Sequence, residues 1–322
     1  MNSISSENRK TLMLFSGRAY PGLADEIGTV LGVAPTPTDM FEFASGEVFV
    51  RYKESVRGSD AFVIQSMSTP VNTWLMETLI MVDALKRGSA KRITVVLPFY
   101  PYARQDKKHR GREPISARLT ADLFKTAGAN RILTVDLHTA QIQGFFDGPV
   151  DHLFAMDILA EHVQERYANQ PMTVVAPDSG RVRVAERWTD RLGGIPLAFI
   201  HKTRDPLKVN EVVANRVVGE VSGRVCLIVD DMIDTGGTIC SAAEILHDEG
   251  AADVIVASTH AVLSDPAAER LRDGKISEVI VTNTLPIPED KLTVLSIAPL
   301  LARAIREVFD DGSVTTLFGG LS

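Results

Sequence analysis

Two adjacent aspartates followed by a loop of small residues form the stretch of the chain best suited to chemistry. A short apolar run at residues 225–229 ends at Asp230 and Asp231, and the loop Asp234-Thr235-Gly236-Gly237-Thr238 follows. Glycines let the backbone approach a ligand closely, and N–H groups at the start of a helix bind anions. Carboxylates beside such a loop suit a ligand with hydroxyls next to its phosphate, or a bound Mg²⁺. The lysine of a P-loop is missing.

The elements around this loop predict how it is held. The β-branched run before it is typical of a strand buried on both faces of a parallel sheet. After it, Ile239, Ala242, Ala243 and Leu246 recur at helical spacing, and Gly250 marks the expected helix end. Open α/β sheets bind ligands beyond the carboxyl ends of their strands. The sequence therefore predicts a site at that edge of a sheet.

Three further loops carry side chains that could handle phosphate. The segment between Pro98 and Pro114 concentrates Arg and Lys, and its prolines argue against a regular element. A solvated run of charges explains this segment as well as a mobile arm that neutralises a polyphosphate. Lys202 and Arg204 follow a predicted strand at 196–200. His138 follows another at 131–135, and it could equally be a structural core histidine.

Composition bounds the class of protein. The 322 residues are 45% apolar and 23% charged, which is typical of a globular protein with room for two domains. A net charge of −7 argues against a nucleic-acid surface, and no apolar run is long enough to span a membrane. The polar start lacks the pattern of a signal peptide, so we expect a cytoplasmic protein. Cys226 and Cys240 fit neither a zinc site nor a redox pair.

Strand and helix patterns alternate through both halves of the chain and reset near residues 150–155. We predict an α/β protein with domains at 1–153 and 154–307, and a tail at 308–322 that packs on the first domain. Alternating residues around Ser45-Gly46 predict a hairpin.

The Asp230–Thr238 stretch resembles the phosphoribosyl pyrophosphate (PRPP) signature of type I phosphoribosyltransferases. With FASGEVFVR, PFYPYARQDKK, DLHTAQIQGFFDGPVDHL, PDSGRVR and HKTRDP, the chain resembles ribose-phosphate pyrophosphokinases, the actinobacterial members most, over nearly its whole length. The resemblance implies two tandem type I phosphoribosyltransferase-like domains, each a mostly parallel sheet flanked by helices. It also implies Mg²⁺-dependent transfer of the diphosphoryl group of ATP to the C1 hydroxyl of ribose 5-phosphate, giving PRPP and AMP.

The resemblance assigns an expected role to each matching residue. Ribose 5-phosphate would be bound by Arg204, Asp230, Asp231, Asp234, Thr235, Gly236, Gly237 and Thr238. ATP would be bound by Phe43, Ser45, Gly46, Glu47, Arg104, Gln105 and Asp106. Catalysis would use Lys202, Arg204 and His138, and Mg²⁺ would lie near His138 and Asp178. Many members have aspartate at position 45 and glycine at position 181, so the adenine contacts and the Asp178 loop are expected to differ here.

The family further implies a homo-oligomer, a hexamer built from dimers, with inorganic phosphate and ADP as effectors. Gln141–Phe146 is expected to supply an apolar interface. Two alternatives stay open. A salvage phosphoribosyltransferase that consumes PRPP would leave the basic loop after Pro98 unexplained. A catalytically inactive regulatory paralogue would be expected to lose basic-loop residues, and these are present.

Overall fold

The computed structural model describes residues 10–204, 212–287 and 292–318. Contacts divide the chain into two units, one formed by the residues up to Leu153 with those from Ala298 onwards, the other by Phe154–Ile297. In the part of the chain that is described, no helix is long and apolar enough to cross a membrane.

The first unit is built on a five-stranded parallel sheet and a separate hairpin. Its strands are β1 (Leu12–Ser16), β2 (Thr38–Glu42), β3 (Val48–Tyr52), β4 (Asp60–Ile64), β5 (Arg92–Leu97), β6 (Arg131–Val135) and β7 (Val150–Leu153). The sheet order, β1-β4-β5-β6-β7, follows the order of the chain. The predicted hairpin is confirmed, since β2 and β3 pair antiparallel.

Three helices of this unit follow β1, β4 and β5: α1 (Pro21–Leu31), α2 (Val71–Arg87) and α3 (Ser116–Ala127). Apolar residues of α2 and α3 recur every three or four positions, so Met81, Leu85 and Phe124 reach one core with the sheet. Residues 98–115 contain neither helix nor strand, as their prolines predicted.

The interface expected at Gln141–Phe146 stays a prediction, but two of its apolar residues are buried within the first unit. Ile142 and Phe146 are 2% and 5% exposed and belong to the core of the first unit. They lie there because a 3-10 turn, Ala140–Gly144, packs beside β7 and directs them inward. Of the two phenylalanines in this segment, Phe145 is the one that remains partly exposed.

The second unit has a seven-stranded sheet in the order β10-β9-β8-β11-β12-β13-β14. The strands are β8 (Met172–Ala176), β9 (Leu197–Arg204), β10 (Val212–Val218), β11 (Val225–Ile233), β12 (Asp253–Ala261), β13 (Glu278–Thr282) and β14 (Thr293–Leu295). The helices are α4 (Met156–Tyr167), α5 (Val182–Arg191), α6 (Gly237–Asp248) and α7 (Ala267–Asp273), with a 3-10 turn at Ser179–Arg181. The β9–β10 pair is antiparallel, and the other described pairs are parallel.

The strand order of the second unit reverses at β8. From β8 the chain adds β9 and β10 on one side, and it then returns to place β11 on the other side. A reversal of this kind opens a crevice at the carboxyl ends of the two diverging strands, where open α/β folds bind ligands. The sheet of the first unit has no such reversal among its described strands.

The predicted core of this unit is confirmed. Residues 225–229 are buried, as are Ile239, Ala242, Ala243 and Leu246 of α6. The predicted strand end is wrong, because β11 continues beyond residue 229 to Ile233. Its backbone keeps pairing with β12, with Asp230 opposite Ser258 and Met232 opposite His260, so the acidic pair lies on the strand itself.

The last helix, α8 (Ala298–Phe309), is grouped with the first unit, whereas we expected the second domain to reach residue 307. The helix packs against α1, and Arg306 donates a hydrogen bond to the carbonyl of Leu31 at 3.1 Å. Burial of Leu301 and Ile305 in this contact explains the grouping. The 3-10 turn Val314–Phe318 contacts α8 and β7 of the same unit. Both units are mostly parallel sheets flanked by helices, as predicted.

Candidate active site

The acidic pair lies at the carboxyl end of β11, beside the reversal of strand order. The side chains of Asp230 and Asp231 are 15% and 8% exposed. Arg181 contacts both, with its Nε 2.9 Å from Oδ1 of Asp230 and a terminal guanidinium nitrogen donating to Oδ1 of Asp231. Burial and the neighbouring Asp231 raise the pKa of Asp230 to about 8, and the charge of Arg181 opposes the rise. Arg181 thus bridges the two carboxylates.

The loop after the acidic pair reaches the start of α6 through a left-handed residue. Gly236 has φ of 72°, and the helix begins at Gly237, two residues before the predicted start. A side chain at Gly237 would bring its Cβ within 3.3 Å of the Arg270 guanidinium, which itself donates to the carbonyl of Thr235 at 3.0 Å. Gly236 is therefore favoured by its left-handed conformation, whereas a Cβ at position 237 would require the Arg270 guanidinium to shift by a few tenths of an ångström. The first amides of α6 and its positive dipole end are suited to bind an anion.

Arg270 was missed by the sequence reasoning. It lies in α7, 35 residues from Thr235, and no local pattern connects it to the loop.

The loop after β8 is the neighbour of the acidic pair across the sheet, because β8 and β11 are adjacent and parallel. Oδ1 of Asp178 accepts from the amide of Gly180 at 2.8 Å, which closes the turn that leads to Arg181. Sequence reasoning noted Arg181 as a departure from the family pattern but gave it no role. An arginine in a loop at a strand's carboxyl end was the available signal.

Lys202 and Arg204 lie at the carboxyl end of β9, which runs four residues beyond the predicted strand end at 200. Their backbone pairs with β10, with Lys202 opposite Asn215 and Arg204 opposite Val212. Their side chains lie outside the described part of the chain. Because β9, β8 and β11 run parallel, the backbone places both positions at the same edge of the sheet as the ends of β8 and β11.

In the first unit, the basic loop is tied to the segment that carries His138. Arg104 and Gln105 are exposed, whereas Asp106 is 4% exposed. Oδ2 of Asp106 accepts from the Thr139 hydroxyl at 2.8 Å and from Nε2 of Gln141 at 2.7 Å. The structure thus brings Arg104–Asp106 next to the loop of His138, and Asp106 acts as the brace between them.

The backbone before His138 is strained. Asp136, at the end of β6, has φ of 38°, which costs a residue with a side chain about 1 kcal/mol or more. The turn is held because the amide of Leu137 donates to Nε2 of His152 at 2.9 Å. His138 itself is partly buried at the carboxyl edge of the sheet.

The hairpin presents a half-exposed aromatic ring. Phe43 is 49% exposed and stands edge-on to Phe41 at 5.2 Å, and Phe41 stacks on Phe49 at 4.7 Å. In the turn, the Ser45 hydroxyl donates to a carboxylate oxygen of Glu47 at 2.7 Å, and Gly46 has φ of 86°. A flat ring with one edge anchored can stack on a planar ligand.

A buried ion pair anchors this hairpin. Glu77 of α2 is fully buried and accepts from Nε of Arg18 at 2.5 Å and from Nε2 of Gln65 at 2.9 Å. The outer end of Arg18 donates to Glu42 at 3.0 Å, one residue before Phe43. Arg18 thus connects the end of β1 to the hairpin.

No cluster of three or more His, Cys, Asp or Glu side chains that could hold a metal occurs among the described residues. Mg²⁺ bound with a phosphorylated substrate commonly takes one or two carboxylates, and phosphates and water complete its ligands. The partly exposed carboxylate of Asp178 fits that donor set.

Comparison with known proteins gives full-length matches. The family model described as the N-terminal domain of ribose phosphate pyrophosphokinase matches residues 12–128, and the phosphoribosyl synthetase-associated domain matches residues 206–319. The chain is 68% identical over 319 residues to the ribose-phosphate pyrophosphokinase of Mycobacterium tuberculosis, with 98% of each chain covered. It is 63% identical over 322 residues to that of Streptomyces coelicolor, with 99% of each chain covered.

One solved structure matches the chain over almost its whole length. The crystal structure of phosphoribosylpyrophosphate synthetase from Mycobacterium smegmatis superposes with a TM-score of 0.90 at 65% identity. The match covers 94% of this chain and all of that one.

Proposed function

The chain belongs to the ribose-phosphate pyrophosphokinase family and synthesises PRPP, and we propose that its two units divide the substrates of that reaction between them. The reaction transfers the diphosphoryl group of ATP to the C1 hydroxyl of ribose 5-phosphate and leaves AMP. The full-length matches do not favour a salvage phosphoribosyltransferase or an inactive paralogue.

The second unit binds ribose 5-phosphate in this proposal, and the acidic pair beside the α6 loop is the observation that carries it. The amides at the start of α6 and the hydroxyls of Thr235 and Thr238 take the 5-phosphate. Asp230 and Asp231 accept from the ribose hydroxyls. The remaining contacts come from Asp234, Gly236, Gly237 and Arg204.

The first unit binds ATP. Adenine stacks on Phe43, and the turn from Ser45 through Gly46 to Glu47 contacts the edge of the base. Because the Ser45 hydroxyl donates to Glu47, we assign Ser45 the task of orienting that carboxylate. Arg104 and Gln105 contact the phosphates from the exposed loop. Asp106 holds this loop in position and does not contact ATP itself, because its carboxylate accepts hydrogen bonds from Thr139 and Gln141.

Phosphoryl transfer requires little covalent chemistry from the protein. Catalysis therefore depends on positioning the two substrates and on stabilising the charge of the transferred group. In this proposal, Lys202 and Arg204 neutralise the equatorial oxygens of the transferred group. His138 donates to a phosphate or contacts the metal. Mg²⁺, bound through residues such as Asp178 and His138, would neutralise charge on the ATP phosphates.

The rest of the proposal follows the family. It comprises domains that divide near residue 153, a homo-oligomer that reaches a hexamer through dimers, activation by inorganic phosphate and inhibition by ADP. A cytoplasmic location fits substrates that are cytoplasmic metabolites. Analytical ultracentrifugation tests the assembly, and velocity titrations with phosphate and ADP test the effectors.

A product assay tests the function. The purified chain is incubated with ribose 5-phosphate, ATP and Mg²⁺, and AMP, ADP and PRPP are followed together. We expect AMP in step with PRPP. Formation of ADP would indicate an ordinary kinase, and absence of both from a folded sample would favour the regulatory paralogue.

A further inference from the structure

Arg181 contacts both carboxylates of the acidic pair. Its side chain is 17% exposed, and it reaches Asp230 and Asp231 from the turn that Asp178 closes. The amide of Asp231 also donates to Oδ1 of Asp230 at 2.8 Å, the same oxygen that Nε of Arg181 contacts at 2.9 Å. The guanidinium and the backbone together fix the plane of the Asp230 carboxylate.

Two carboxylates this close and this buried resist simultaneous ionisation. A planar guanidinium is suited to hold them, because its N–H groups diverge and can serve two acceptors at once. A carboxylate that is ionised and fixed accepts hydrogen bonds from hydroxyls. A protonated or rotated carboxyl group loses part of that capacity.

We propose that Arg181 is a positioning residue for ribose 5-phosphate, which holds Asp230 and Asp231 together as acceptors for the ribose hydroxyls. The inference rests on the proposed assignment of this site to ribose 5-phosphate. It adds that affinity for the sugar phosphate depends on a residue outside the Asp230–Thr238 signature. It also predicts that removing Arg181 weakens the binding of ribose 5-phosphate. If Arg181 instead competed with the sugar for the carboxylates, its removal would strengthen that binding.

The test is the change Arg181→Gln, with Arg183→Gln as the matched control. Arg183 is an exposed arginine two positions along the chain. We expect Arg181→Gln to raise KM for ribose 5-phosphate about tenfold or more, as when one partner of a buried charge pair is removed. KM for ATP and kcat should stay within about twofold of the wild-type values. Arg183→Gln should leave all three unchanged.

Arg181→Lys serves as the rescue variant, since it restores the charge but not the fork. Its KM for ribose 5-phosphate should lie between that of wild type and that of Arg181→Gln. This variant also carries the test if the glutamine variant does not fold, because a KM equal to wild type would then overturn the proposal. The double variant that combines Asp230→Asn with Arg181→Gln is also measured. Its increase in KM for ribose 5-phosphate should not exceed the product of the increases in the two single variants.

An unchanged or lower KM for ribose 5-phosphate in Arg181→Gln would overturn the inference, and so would an equal rise in KM for ATP. Failure of the proposed function is distinct, because wild-type protein would then form no AMP with PRPP before any variant is compared. Wild-type activity with an unaffected Arg181→Gln would remove the role of Arg181 alone.

Discussion

Both units bury carboxylates near the carboxyl edge of a parallel sheet, but they surround them differently. In the first unit, Glu77 accepts from Arg18 and from Gln65. Asp106 of the same unit likewise accepts from two side chains. In the second unit, Asp230 and Asp231 both contact Arg181, and burial beside Asp231 raises the pKa of Asp230 to about 8.

The difference separates two uses of a buried charge. A carboxylate whose neighbours supply enough donors is stable as it stands, and it braces loops. Carboxylates that are buried beside each other are costly to ionise, and sites of that kind are frequently functional. We therefore interpret Glu77 and Asp106 as braces of the loops proposed to bind ATP, and the acidic pair as groups that bind a ligand.

The largest expected effect is a loss of turnover when Lys202 of the second unit is replaced. Lys202→Ala should lower kcat about 10²- to 10³-fold, because it removes a cation that stabilises charge on the transferring group. KM for both substrates should change only a few-fold. Steady-state kinetics measures this, with the exposed Lys275→Ala of the same unit as a control. Unchanged turnover would exclude Lys202 from the mechanism.

The acidic pair predicts a change in affinity with little loss of stability. Asp231→Asn should raise KM for ribose 5-phosphate about 10- to 100-fold, since a charged acceptor is lost. The unfolding temperature should stay near that of wild type, because the change also removes a crowded charge. Kinetics and thermal unfolding on one preparation check both statements. A large fall in unfolding temperature would instead make Asp231 a brace.

Glu77→Gln should show the opposite pattern. The free energy of unfolding should fall by about 2 kcal/mol, because Arg18 loses its buried partner. KM for ATP should rise a few-fold as the link from Arg18 to the hairpin loosens, while KM for ribose 5-phosphate stays constant. Urea unfolding measures the change, with the exposed Glu54→Gln as a control. Unaltered stability would contradict the bracing role.

The smallest effect concerns stability and pH. Because the pKa of Asp230 is raised from 3.8 to about 8, ionising this group costs folding free energy. The cost is absent below the ordinary pKa and grows as pH rises towards 8. Asp230→Asn should therefore gain stability relative to wild type, and the gain should be larger at pH 8 than at pH 5. Urea unfolding at the two pH values measures it, and a pH-independent difference would contradict the shifted pKa.

The contiguous part of the site was predictable from sequence. The buried run at 225–229 and the helix face from Ile239 to Leu246 depend on local periodicity, and both are confirmed. The end of β11 was predicted wrongly, because the charges of Asp230 and Asp231 indicated that the buried strand ends after residue 229. Pairing with β12 continues the strand to Ile233, and a single stretch of sequence does not contain that partner.

The parts that depend on distant contacts were not predictable. Arg270 reaches the loop from another helix, and Glu77 reaches Arg18 across 59 positions of sequence. Phe146 looked like surface because glycines flank it, yet its ring lies in the core. The grouping of α8 with the first unit likewise depends on packing against α1. Periodicity identifies which face of an element is buried, but it does not identify the element that covers it.

The most direct test of the contrast between the units is a thermal unfolding scan with and without ribose 5-phosphate. Mg²⁺ and a non-hydrolysable ATP analogue are present throughout, and wild type, Asp231→Asn and Glu77→Gln are compared. We expect Glu77→Gln to unfold at lower temperature but to be stabilised by saturating ribose 5-phosphate by several degrees, like wild type. Asp231→Asn should start near wild type and gain little. The account would be contradicted if the two variants exchanged these patterns, or if both were stabilised equally.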